Sequence, residues 1–376
     1  MTPKIARFLA EQKPATPCLV VDLDVIAHNY KRLQNAIPAA AIYYAVKANP
    51  APEILNVLAK AGSNFDTATI YEIEDCLKLG IAPGRLSFGN TIKKEAAIAR
   101  AFQAGITLFA FDSAIEVEKL ARAAPGARVF CRIFMTGAGA DWPLSRKFGC
   151  DVEMARDLLI TARDLGLDPH GVSFHVGSQQ RDPTQWDIAV GKTKMLFGAL
   201  SEAGIRLKMV NLGGGFPAHY RARVPAADAY GAAILRAMTT HFGNDLPQMI
   251  VEPGRGIAGD AGVIQAEVVL ISTKSYADKR RWVYLDIGKF GGLPETMGEA
   301  IQYRLKTPYE RGPKGPVVLA GPTCDEVDIL YDKAGYRLPL ALKVGDKIII
   351  ESAGAYTATY SSVAFNGIPP LKGYYI

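Results

Sequence analysis

Short apolar runs, each closed by a polar or charged residue, recur along the first two thirds of the chain. They fall at 41–47, 64–68, 85–90, 106–112, 127–133, 171–177, 208–215 and 248–255. Between them, apolar positions repeat at helical spacing. Ile26, Tyr30, Leu33 and Ile37 behind a capping Asp24 form one such stripe, and Ile70, Ile73 and Leu77 another. Each stripe is the buried face of a helix. Crossover helices between strands of this length suit a parallel sheet, and eight strand–helix units make a (β/α)8 barrel.

Beyond Arg255 the pattern changes to strand-like runs without helical crossovers: Val263–Ser272, Arg281–Asp286, Pro316–Ala320 and Lys347–Glu351. These predict a second, all-β domain. Cys18–Asp22 reads as a strand that precedes the first barrel helix and has no other sheet to enter, so it is assigned to the same domain. The expected division is a barrel over 24–257 and a β domain over 1–23 plus 258–376.

A (β/α)8 barrel builds its active site at the C-terminal ends of its strands. The residues expected there are Lys47, Asp66, Asn90, Asp112, Arg132, His175 with Ser178, Gly213-Gly214-Gly215, and Glu252 with Arg255. One polar residue at a strand end is ordinarily a cap or a solvated turn, and Asn90 and Asp112 can be read that way. A ring holding a lysine, a histidine, a glycine triplet and an acid exceeds what capping explains. Lys47, closing the apolar Ala41–Val46, either marks where the strand meets water or is a desolvated nucleophile for a carbonyl cofactor.

Composition narrows the partners. Hydrophobic residues make up 49% and charged residues 21% of 376, the balance of a folded globular protein. The net charge of +6 is spread without a Lys/Arg run, so neither nucleic acid nor a membrane surface is indicated. Five scattered cysteines (Cys18, Cys76, Cys131, Cys150, Cys324) lack metal-site spacing and suit reduced thiols, hence a cytoplasmic protein without a metal. Met1–Lys13 is amphipathic without a long apolar core, and no run reaches the length of a membrane span.

The glycine triplet after 208–212 strips three side chains from a loop, letting backbone amides approach a phosphate. Arg255, after the next strand, would be the phosphate's charged partner. Glu252 on that strand end would keep a pyridine nitrogen protonated, and a pyridinium is the electron sink that holds a carbanion. Lysine, glycines, arginine and glutamate together indicate pyridoxal 5'-phosphate.

These motifs resemble the fold-type III pyridoxal-phosphate decarboxylases, the ornithine/lysine/diaminopimelate/arginine group. The likeness rests on Tyr44-Ala45-Val46-Lys47, Phe65-Asp66, Ser173-Phe174-His175-Val176-Gly177-Ser178, Gly213-Gly214-Gly215-Phe216-Pro217, Glu252-Pro253-Gly254-Arg255, Gly321-Pro322-Thr323-Cys324-Asp325 and Gly354-Ala355-Tyr356-Thr357. It implies the alanine racemase-like arrangement of barrel and β domain. It also implies a Schiff-base role for Lys47, stacking of His175 on the cofactor, and pairing of Glu252 with the ring nitrogen. Phosphate contacts would come from Ser178, Gly215, Arg255 and Tyr356, with Gly213, Gly214 and Gly254 also at the cofactor, Asp66 near Lys47 and Arg132 in the supporting network. By the same resemblance Cys324 comes from the neighbouring subunit of a homodimer and protonates the α-carbon after carbon dioxide leaves, a task a thiol suits.

For the substrate, Asp325 directly after the cysteine resembles the short-form ornithine decarboxylases. Diaminopimelate enzymes typically carry Glu-Ser-Gly there. Glu299 or Glu295 stands where eukaryotic ornithine decarboxylases place an amine-binding Tyr-Asp pair, and Phe365 would wall the pocket. The resemblance implies decarboxylation of L-ornithine to putrescine in polyamine biosynthesis, with L-lysine to cadaverine also in play. The alternatives are a lysine or diaminopimelate decarboxylase, a non-catalytic regulatory homologue, and a racemase. Glu252 argues against the racemase, which uses arginine at the ring nitrogen.

Overall fold

In the computed structural model, residues 1–143, 147–309 and 311–376 are described. The chain divides into two compact units, one of 27–217 and 225–256, the other of 1–26, 218–224 and 257–376.

In the first unit, β2 (Ala40–Ala45), β3 (Asn64–Thr67), β4 (Leu86–Phe88), β5 (Leu108–Phe111), β6 (Arg128–Arg132), β8 (Asp168–Ser173), β10 (Met209–Asn211) and β11 (Gln248–Val251) close into a barrel. All neighbours are parallel. The eight apolar runs are these eight strands. Tyr43, Leu108, Ala110, Phe130, Met209 and Ile250 form one buried cluster, drawn from one face of β2, β5, β6, β10 and β11 as the two-residue side-chain period requires.

Most strands end a few residues before their apolar runs do. The run over 41–47 gives β2 only to Ala45, after which Val46–Ala48 coil into a single tight turn. The remainders of the runs at 171–177, 208–215 and 248–255 likewise leave the sheet. Two three-residue strands, β7 (Ala140–Trp142) and β9 (Ser178–Gln180), pair antiparallel outside the barrel.

The second unit is a nine-stranded sheet. Its strands are β1 (Cys18–Val21), β12 (Gly262–Ser272), β13 (Arg281–Leu285), β14 (Leu305–Lys306), β15 (Lys314–Ala320), β16 (Ile329–Tyr331), β17 (Arg337–Pro339), β18 (Lys347–Glu351) and β19 (Lys372–Tyr375). β1 lies between β12, antiparallel, and β19, parallel. The helix Pro3–Gln12, capped by Thr2, sets Ile5, Phe8 and Leu9 against Cys18, Val20 and Val263. Residues 218–224 belong here through His219, whose N–H donates to Asp260 at 2.8 Å, and Arg221, whose N–H donates to the Gln302 carbonyl at 3.0 Å.

Candidate active site

Lys47 stands in the turn after β2. It is exposed between two buried neighbours, Val46 and Ala48, and its charge is felt by Asp66 and His175. The turn is tied across the barrel seam, because the Ala45 N–H donates to the Pro253 carbonyl at 3.1 Å. The segment carrying Lys47 and the one carrying Glu252, Gly254 and Arg255 are therefore held in register.

Asp66 on β3 is buried and accepts the Ser87 hydroxyl at 3.1 Å from the paired position on β4. Burial pushes its carboxyl well up, the like charge of Glu252 adds to this, and Lys47 opposes it. Gly89 makes the position possible: a Cβ there would lie 1.9 Å from Asp66 Oδ1. Arg132, at the end of β6, is held below its ordinary range by burial, against the attraction of Glu252, Asp112 and Asp66, and its guanidinium lies 5.1 Å from the Phe148 ring centre.

His175 follows β8. Burial and then the positive charges of Arg132 and Lys47 lower its pKa well below the usual value, so the imidazole is neutral. Its Nδ1 accepts the Gly177 N–H at 3.0 Å, which puts the ring proton on Nε2. The result is a flat, uncharged ring. Asn90 and Asp112 act in turns, Asn90 donating to the Ala68 carbonyl at 3.2 Å and Asp112 accepting the Gly149 N–H at 2.8 Å.

After β10 the glycine turn presses onto its neighbours. A Cβ at Gly213 would sit 2.1 Å from the Phe174 carbonyl oxygen, one at Gly214 2.7 Å from that of Glu252, and one at Gly215 2.6 Å from that of Gly177. Beside the turn, Arg255 is buried and donates to Ser178 Oγ at 3.1 Å. Gln180 stitches this corner together, donating to the Val176 carbonyl at 2.6 Å and the Ala138 carbonyl at 2.8 Å.

Cys324, Asp325, Glu295, Glu299, Tyr356 and Phe365 lie in the second unit. Cys324 is exposed, with its N–H on Asn366 Oδ1 at 3.1 Å and the Asn366 amide donating to its Sγ at 3.3 Å. Asp325 is exposed, and its Oδ1 accepts the Val327 N–H at 2.9 Å. Asp328 anchors this loop from below: it is buried and accepts the Thr323 hydroxyl at 2.7 Å and the Lys289 N–H at 2.7 Å. Phe365 stacks on Phe290 at 4.5 Å, and both line a cavity of about 640 Å³. Glu295 is buried, whereas Glu299 spends its Oε1 on the Asp332 and Lys333 N–H groups, each at 2.7 Å. Tyr356 adopts a left-handed φ of 56°.

Among the described residues no cluster of His, Cys, Asp and Glu could hold a metal ion, and no helix is long and apolar enough to cross a membrane.

Ser87, Gly89, Asn211, Gln180, Asp328 and Asn366 were not expected as part of the site. Their types carry no signal alone, although Asn211 closely precedes the glycine triplet and Gly89 lies at the end of an apolar run.

A flat aromatic aldehyde with a phosphate at one edge and a basic ring nitrogen at another fits the chemistry of these groups in the barrel. It would find an amine at Lys47, a neutral imidazole at His175, a carboxyl group at Glu252, and glycine amides with Arg255. Pyridoxal 5'-phosphate has that chemistry, and the barrel is accordingly that of a pyridoxal-phosphate enzyme. The family model described as "Pyridoxal-dependent decarboxylase, pyridoxal binding domain" matches residues 23–259. The lysine/ornithine decarboxylase of Selenomonas ruminantium is 35% identical over 372 residues, covering 98% of this chain and 91% of that one. The ornithine decarboxylase of Schizosaccharomyces pombe is 31% identical over 372 residues, covering 95% and 82%. The crystal structure of the lysine/ornithine decarboxylase of Vibrio vulnificus, complexed with cadaverine, has a TM-score of 0.87 at 30% identity, covering 99% of this chain and 97% of that one. The chain belongs to the pyridoxal-dependent decarboxylase family. It is a pyridoxal-phosphate-dependent decarboxylase acting on a small molecule.

Proposed function

We propose that the protein decarboxylates L-ornithine to putrescine and carbon dioxide, with L-lysine as a second substrate giving cadaverine. The observation that carries this is the Cys324–Asp325 loop, a thiol and a carboxylate presented side by side and exposed on a turn fixed by Asp328 and Asn366. The names of the relatives support a diamino acid over a dicarboxylic one.

The cofactor supplies the electron sink for the bond that loses carbon dioxide. The chain supplies the rest. Lys47 offers the amine that holds the cofactor, with Asp66 close enough to feel its charge. His175, kept neutral, presents a ring face without adding a second positive charge beside Lys47. Glu252 meets the ring nitrogen. Ser178, the turn of Gly213, Gly214 and Gly215, Arg255 and Tyr356 take the phosphate, Gly254 lies beside the cofactor, and Arg132 balances the neighbouring acidic groups Glu252, Asp112 and Asp66. Cys324 returns a proton to the α-carbon. Asp325 accepts the distal ammonium, with Glu295 or Glu299 as its companion and Phe365 as the apolar wall.

The working form is a homodimer in which each exposed Cys324 loop completes the partner's site. The five unpaired cysteines support a cytoplasmic setting. Carbon dioxide release measured side by side on ornithine, lysine, arginine and diaminopimelate tests the substrate. Ornithine is expected first and lysine second, and a preference for diaminopimelate would overturn the reading.

A further inference from the structure

Asn211 ends β10 and is 1% exposed. Its Oδ1 accepts the Gly213 N–H at 3.0 Å, and its Nδ2 donates to Glu252 Oε1. The amide cannot be turned over, because only its oxygen can serve a backbone N–H; its NH2 therefore faces the carboxylate. Glu252 Oε1 is thus an acceptor already in use, and Oε2 is the oxygen left for a donor arriving from a ligand.

The same side chain is bound to the first residue of the glycine turn. Gly213 holds a left-handed φ of 66° and leaves no room for a Cβ against the Phe174 carbonyl. One buried amide therefore spans the two places where two separate edges of a rigid, planar cofactor would be gripped: the carboxyl group for the ring nitrogen and the start of the turn for the phosphate.

We propose that Asn211 is a positioning residue that sets Glu252 against the cofactor's ring nitrogen. This rests on the reading that Glu252 meets that nitrogen. The two halves of the amide separate cleanly by substitution. Asn211→Asp keeps an oxygen for the Gly213 N–H, so the turn retains its cap, and replaces only the donor that faces Glu252 with a second acceptor. A residue that merely supports the turn tolerates this change. A positioning residue does not, because two carboxylate oxygens now oppose each other unless a proton lies between them.

The test compares binding of pyridoxal 5'-phosphate and of its 1-deaza analogue, which has a carbon in place of the ring nitrogen, to cofactor-free wild type, Asn211→Asp, Asn211→Ala and Glu252→Ala. Decarboxylation by the reloaded proteins is measured across pH. Wild type prefers the natural cofactor. Near neutral pH Asn211→Asp is expected to lose most of that preference, roughly tenfold or more in relative affinity, with the analogue's own affinity within about twofold of wild type. Its kcat falls while KM holds, and preference and kcat both recover as pH is lowered and a proton is shared between the introduced carboxylate and Glu252. Asn211→Ala is expected to lose the preference without the pH recovery. Equal weakening of both ligands by Asn211→Asp, or no weakening of either, overturns the positioning role. If Glu252→Ala retains the full wild-type preference, Glu252 is not at the ring nitrogen, and both that reading and the proposal fail.

Discussion

Replacing Gly89 by alanine tests how Asp66 is held. The new Cβ would lie 1.9 Å from Asp66 Oδ1, 2.8 Å from its Cγ and 3.2 Å from Oδ2. Gly89 does not adopt a left-handed φ, so the backbone accepts alanine and the whole cost falls on that contact. Asp66 cannot simply swing away: it is 6% exposed and bound to Ser87 at 3.1 Å. Overpacking of this kind costs about 1–3 kcal/mol, and losing the Ser87 hydrogen bond adds about 1 kcal/mol. We expect a loss of about 2–4 kcal/mol in urea unfolding followed by the fluorescence of buried Trp186, together with weaker cofactor binding as Asp66 leaves Lys47. The decisive comparison is the Asp66→Ala background, where all three clashing atoms are gone. There the Gly89→Ala change should cost less than about 0.5 kcal/mol, so nearly the whole effect appears as coupling between the two sites. Equal costs in both backgrounds would show that Gly89 is required for some reason other than Asp66.

Borohydride reduction of the purified yellow protein should fix the cofactor on the peptide containing Lys47, and Lys47→Ala should abolish the attachment; a label on another lysine would refute the site. Mixing Lys47→Ala with Cys324→Ala subunits at equal ratio should restore about a quarter of wild-type activity from heterodimers with one intact site, whereas no recovery despite proven subunit exchange would place each site within one chain. Lys93 is fully buried on Glu116 Oε1 at 2.9 Å and on the carbonyls of Asn90 and Ala110, and burial lowers its pKa from 10.5 to about 8. The folded state is therefore penalised below pH 8, and the unfolding free energy should climb by on the order of 3 kcal/mol as pH rises from about 8 toward 10.5. Lys93→Met should flatten that climb, and an unchanged slope would place the buried charge elsewhere.

The barrel was legible because each strand is an apolar run with a polar stop, and the stops at Lys47, Asp66, Arg132 and Glu252 are brought to one end of one closed sheet. Strand ends were less legible, since Val46 and Leu212 are as apolar as strand residues but lie in the turns that follow. The pair β7 and β9 leaves no signal in the sequence because three residues show no period. Residues 218–224 join the β unit through backbone bonds such as that from Arg221 to Gln302, which no local pattern announces. Asn211, Gly89 and Asp328 share one cause: each matters through a partner that no local pattern points to, and only the fold makes that partner a neighbour.

β1 takes one neighbour from the middle of the chain and the other from residues 372–375, where Cys18 stands opposite Lys372 and the Ile376 N–H closes on the Val21 carbonyl at 2.9 Å. During synthesis on the ribosome this strand emerges early and must wait, both flanks unpaired, while the entire barrel is translated and can fold; β12 then covers one of them. Only when residue 375 has cleared the exit tunnel can its second edge be covered. A premature stop that removes just β19 would leave a barrel with its cofactor residues intact and a sheet with an open, sticky border. Its signature would be aggregation of newly made chains rather than a damaged active site.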